Sequence, residues 1–160
     1  MAKAKKAVPE GYSTITTSLT VHDAAAALAW YGKALGAEER SRSLGPDGKV
    51  MHSEIRLGNS LLMVNDAVMG AKSAKEMGGS PANLFVYVEN CDAIYDAAVK
   101  NGAKIEMPMD DMFWGDRCGS VIDPFGYRWS FATRKEDLTQ AEQDERAKAW
   151  MAAQAGKSPK

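Results

Sequence analysis

Two stretches of this sequence, 12–66 and 83–135, carry the same succession of strand and helix signals, and that doubling constrains the fold more than any single motif. In the first, YSTITTSLTV (12–21) is rich in β-branched residues and reads as a strand. Asp23 is a natural N-cap for AAAALAWYGKAL, where Ala26, Trp30 and Ala34 recur at helical spacing and Gly36 stops the helix. EERSRSL, VMHSEIRL and SLLMVND follow as three strands, divided by turns at Gly45-Pro46-Asp47-Gly48 and Gly58-Asn59. In the second stretch NLFVYVE is a strand and Asp92 caps the helical DAIYDAAVKN, which Gly102 closes. KIEMP, the segment around Val121 and the strand ending at Phe131 complete the set, the last two joined by Asp123-Pro124-Phe125-Gly126. Superposing Val21 on Val88 brings Gly36-Ala37 onto Gly102-Ala103 to within one residue. Both stretches therefore read βαβββ. A unit this small cannot bury a sheet face alone, so the pair should form one α+β fold, a partly closed, U-shaped mixed sheet around a cleft.

The remaining residues frame this pair. Residues 1–11 form a short basic tail, expected to be frayed, without the apolar run of a signal peptide. Residues 67–82 are rich in Gly, Ser and Lys and read as a connector with at most one helical turn. From Glu136 to Ala155 good helix formers surround a narrow apolar set, Leu138, Ala141, Ala147, Trp150 and Met151, so 136–160 is read as a C-terminal amphipathic helix and tail. That helix should cover either its own domain or a second subunit.

Charge narrows the partners. Twenty basic residues against twenty-one acidic ones leave no field to attract nucleic acid or anionic lipid, and no segment is apolar enough to span a membrane. The expected location is cytoplasmic. Cys91 and Cys118 lack metal-binding spacing and are expected to be free thiols, Cys118 as a small buried apolar residue rather than a nucleophile.

The candidates for chemistry fall into two groups. His52 and Glu54 alternate on one strand and so share a face; an adjacent carboxylate orients an imidazole, which makes His52 a candidate general base. His22, before a helix, reads as a loop residue. The densest stretch is FWGDRCGSVIDPFGYRWSF (113–131). Its first part, Trp114, Asp116 and Arg117, is expected on a loop, with tryptophan as an apolar wall, arginine as a clamp for an anionic ligand, and aspartate orienting that arginine or binding a ligand hydroxyl. The alternative is a loop pinned by an Asp116–Arg117 network. Trp129 and Phe131 share a face opposite Ser130 and should pack in the core. Asp110 and Asp111 are consecutive and should point apart, and Met107, Met109 and Met112 suit either a pocket wall or core gap-filling.

The doubled unit, AAALAWYGKALGAEE, DGKVMHSEIRLGNSLLMVND and the combination of FWGDR with DPFGYRW resemble the PhnB-like branch of the vicinal-oxygen-chelate superfamily, from about Tyr12 to Thr133. Glyoxalase I, bleomycin-resistance proteins and extradiol dioxygenases belong to the same superfamily. The resemblance implies two βαβββ modules around a small-molecule cleft, commonly in a homodimer, and names no reaction. Metal-dependent members place His, Gln or Glu at four strand positions, which here correspond to Thr16, Met63, Asn83 and Ser130. A register shifted along the same strand faces would present Asn65 or Tyr87 instead. Hydroxyls, an amide and a thioether are poor ligands for zinc, nickel, iron or manganese, so no metal and no cofactor is expected. The expected role is binding of a small organic ligand, aromatic or anionic, between the modules of a homodimer. The alternative is a lyase, isomerase or dioxygenase with an unconventional metal site or with His52 as base.

Overall fold

A computed structural model describes residues 3–155. Its elements run β1 (Thr17–Val21), α1 (Ala24–Leu35), β2 (Glu38–Leu44), β3 (Val50–Leu57), β4 (Ser60–Asp66), then β5 (Asn83–Tyr87), α2 (Cys91–Lys100), β6 (Lys104–Asp111), β7 (Asp116–Ile122), β8 (Arg128–Arg134) and α3 (Gln140–Ala155). The βαβββ unit occurs twice. Each forms a four-stranded mixed sheet, ordered β1-β4-β3-β2 and β5-β8-β7-β6, in which the first and last strands of the unit run parallel. The two sheets do not merge within one chain. β1 and β5 each keep an unpaired edge, so the two sheets are not closed and a gap lies between their inner strands, the partly closed arrangement expected around a cleft.

Local chemistry explains the helix positions. Asp23 Oδ1 accepts from the Ala26 amide at 2.9 Å, and Gly36 closes α1 in the left-handed region at φ 69°. Asn90, rather than the expected Asp92, caps α2 and accepts from Ala93 N at 3.1 Å. Asp92 instead lies in the first turn, where its charge suits the helix dipole. The two modules anchor their helices alike. Asp66 at the end of β4 accepts from Ala24 N at 2.8 Å and from Val50 N at 2.7 Å, and Thr133 near the end of β8 accepts from Cys91 N at 3.0 Å.

One core spans both modules. Trp129 and Phe131 are buried, as alternation on β8 requires, and Tyr31 of α1 lies 5.5 Å from Trp129 and 5.8 Å from Phe125. The polar ends of these rings converge on Asp123, whose Oδ2 accepts from Tyr31 Oη and Trp129 Nε1, both at 2.9 Å. Its Oδ1 accepts from the amides of Phe125 and Tyr127, which shapes the Asp123-Pro124-Phe125-Gly126 turn. Trp30 Nε1 also crosses to the Asn101 carbonyl at 2.8 Å. The Tyr127 hydroxyl accepts from Thr20 N and donates to Thr20 O, satisfying part of the open β1 edge.

Between the modules, Met77 N bonds Ser73 O, the one helical turn expected in the connector. Helix α3 begins at Gln140, four residues later than its composition suggested, and buries none of its side chains. The expected tail beyond Ala155 and the first two residues lie outside the described residues.

Candidate functional site

Each sheet packs one face on its helix and leaves the other open, and alternation decides which side chains reach the open face. On the first sheet Leu19, Val21, Ile55, Leu62 and Val64 are buried, so Ser18, Glu54 and Met63 point the other way; Glu54 and Ser18 are the direct partners of Met63. His52 joins them, with Nε2 3.3 Å from Glu54 Oε1. The Tyr12 hydroxyl, with His52, holds the Glu54 carboxyl below the usual range. The His52–Glu54 pairing expected from strand alternation is therefore present. Tyr12, from the tail side of β1, is a third member with no signal in the local pattern.

On the second sheet Leu84, Val86, Trp129 and Phe131 face the core, leaving Asn83, Phe85, Tyr87, Ser120 and Ser130 on the open face. Phe85 is 45% and Tyr87 63% exposed, with ring centroids 5.2 Å apart. Two adjacent aromatic rings left open to solvent on a rigid sheet cost hydrophobic free energy, which is a mark of a contact surface. A polar row crosses the same face. Ser130 Oγ donates to Asn83 Oδ1 at 3.1 Å, Ser120 Oγ donates to Glu106 Oε2 at 3.1 Å, and Arg128 Nη2 pairs with Glu106 Oε1 at 2.5 Å.

The dense motif divides between loop and strand. Only residues 112–115 turn; Asp116 and Arg117 already belong to β7 and point to opposite faces. Asp116 is 5% exposed, and its Oδ2 accepts from Tyr87 Oη at 2.8 Å and Trp114 Nε1 at 3.0 Å. The Tyr87 phenol is pushed up by that bond and stays protonated. Arg117 turns toward the helix side and is engaged by Asp92, with Nη2 at 2.7 Å and Nε at 2.8 Å, and by Asp111 at 3.3 Å. An Asp116–Arg117 network does not form, because strand alternation separates neighbours by the sheet's thickness. Arg117 ties β7 to the start of α2, and Asp92 is held below the usual carboxylate range by it. Cys118 is buried, and desolvation pushes its thiol up to about 11, which suits a packing residue.

A cleft of about 930 Å³ runs between the open edges of β1 and β5, lined by Thr16, Ser18, Asn83, Phe85, Tyr87 and Tyr127 among others. Of the residues nominated from the sequence, Thr16 and Asn83 line it. His52, Glu54 and Met63 stand on the face of one sheet, and Ser130, Trp114 and Asp116 belong to the other module. The four positions that the resemblance assigns to metal ligands carry two hydroxyls, an amide and a thioether. Thr16 Oγ1 is engaged by Ser13 O and Ser130 Oγ by Asn83, and among the described residues no three His, Cys, Asp or Glu side chains converge.

Comparison with known proteins follows the same lines. Residues 14–131 match the model of the Glyoxalase/Bleomycin resistance protein/Dioxygenase superfamily. An uncharacterized protein of Mycobacterium bovis is 37% identical over 133 residues, covering 80% of this chain and 88% of that protein. Among solved structures, a gene product of Arabidopsis thaliana superposes with a TM-score of 0.63 at 29% identity, over 76% of this chain and 98% of that one. A PhnB protein from Bacillus cereus superposes with a TM-score of 0.62 at 21% identity, over 76% and 99% of the two chains.

Proposed function

The chain belongs to the glyoxalase/bleomycin resistance/dioxygenase superfamily, and from that premise we propose that it binds a small planar organic molecule on the open face of its second sheet, as a homodimer. The exposed Phe85–Tyr87 pair carries this reading. Stacking on these rings would recover the apolar area they leave in water, and the Tyr87 hydroxyl, already donating to Asp116, has lone pairs free to accept from a ligand. The Asn83 side-chain NH2 and the Arg128 guanidinium offer hydrogen bonds to a carboxylate or carbonyl at the ligand's other end, while the Ser130 hydroxyl, already donating to Asn83 Oδ1, orients that amide. A second copy is favoured by the unpaired inner edges of β1 and β5, which a single chain leaves half-satisfied. Arg117 is held by Asp92 and Asp111 on the helix side of β7, whereas Arg128, itself paired with Glu106, lies on the open face, so anion recognition there falls to Arg128.

A second reading, turnover by a lyase, isomerase or dioxygenase mechanism, is favoured by one observation, the His52–Glu54 contact on the open face of the first sheet. A thermal-shift screen of aromatic carboxylates and phenols, with the best compound titrated by calorimetry, tests both. Phe85→Ala should weaken binding about tenfold, the loss expected of one aromatic contact. His52→Ala should leave affinity intact under the binding reading. Wild-type affinity in Phe85→Ala would refute the site, and product formation lost in His52→Ala would establish the enzymatic alternative.

A further inference from the structure

A line of aromatic side chains, bridged once by the Asp116 carboxylate, leaves the open face of the second sheet and ends on α3. Phe85 meets Tyr87; Tyr87 and Trp114 share the Asp116 carboxylate; Trp114 meets Phe113 edge-on at 5.0 Å; and Phe113 lies 5.5 Å from Trp150. Helix α3 buries no side chain, and Trp150 is 49% exposed, so burial alone gives it little reason to hold its place.

Specific contacts hold it. The amides of Lys135 and Glu136 both donate to the Gly115 carbonyl, at 2.9 and 3.0 Å. Gly115 has φ 94°, and a Cβ there would lie 2.9 Å from Glu136 O and 3.2 Å from the Leu138 side chain, so the two backbones meet with no room between them. The Glu136 carboxylate receives two hydrogen bonds from the Arg146 guanidinium, at 2.9 and 2.7 Å, which ties the start of the extension to the body of α3. Gly115 stands between Trp114 and Asp116, the two residues that form the wall beside Tyr87. The matched superfamily region ends at residue 131, so Gly115 lies within it and the segment from Lys135 onward lies outside it.

We propose that residues 135–150 are a strap that positions Trp114 and Asp116, with Gly115, Glu136, Arg146 and Trp150 as its positioning residues. The strap's value to ligand selection rests on the binding reading above; its existence does not. In the intact protein the indole N–H signals in a ¹⁵N-correlated NMR spectrum report each tryptophan separately. Trp150→Ala and Arg146→Ala should each shift or broaden the Trp114 indole signal and raise amide exchange at 113–117. The Trp129 indole, bonded to buried Asp123, should keep its position. Gly115→Ala should produce the same local change by forcing the strap away. An unmoved Trp114 signal in both Trp150→Ala and Arg146→Ala would overturn the proposal, as would a change spread equally over Trp129, which marks general loosening. Because no ligand enters the measurement, the strap and the binding reading stand or fall separately.

Discussion

At the scale of single residues, the most consequential polar side chain is Asp123. Burial pushes its carboxyl up, yet four donors converge on its two oxygens and each is itself enclosed by the shared core. Asp123→Asn keeps the size but replaces one acceptor oxygen by a donor. Phe125 N and Tyr127 N need one oxygen, and Trp129 Nε1 needs the other. One buried N–H therefore loses its acceptor, a loss of about 1–3 kcal/mol. Urea unfolding should show that reduction, and unchanged stability would mean the carboxylate is not the junction it looks to be.

Among elements, the tie between β7 and α2 is electrostatic. Arg117 holds Asp92 below its ordinary range, so the folded state binds that proton less readily than the unfolded chain. The sign follows. The stabilisation is fully present above the unfolded value of about 4 and is lost as pH falls through the lower folded value. Asp92→Asn should therefore be less stable than wild type at pH 7, with the gap narrowing below about pH 4. Both carboxylate and guanidinium are partly exposed, so salt should weaken the effect too. Denaturation curves at pH 7 and pH 3 check this; a gap that widens in acid would contradict it.

For the whole molecule, the inner edges of β1 and β5 are the test of the proposed second copy. The Tyr127 hydroxyl serves one residue of the β1 edge, and the rest of both inner edges faces the cleft. Sedimentation of the full chain should give the mass of a dimer at micromolar concentration, and a monomer there would remove the second copy from the functional reading. Among the described residues no helix is long and apolar enough to cross a membrane.

The division between what the chain states openly and what it conceals has a physical basis. Local signals determined the doubled βαβββ order, the Asp23 and Gly36 caps, the Asp123 turn and the shared face of His52 and Glu54, because each depends on residues a few positions apart. The candidate site was less legible. The density of aromatic and charged residues in 113–131 brought Trp114 and Asp116 forward, but it could not show that Arg117 turns away to Asp92, that Tyr87 lies against Asp116, or that the strap reaches Gly115. NLFVYVE looks like a strand apolar on both faces, and nothing local tells Phe85 and Tyr87 from Leu84 and Val86. The helix covers one face and leaves the other open. Only tertiary packing decides that, because which side is buried depends on partners tens of residues away in the chain.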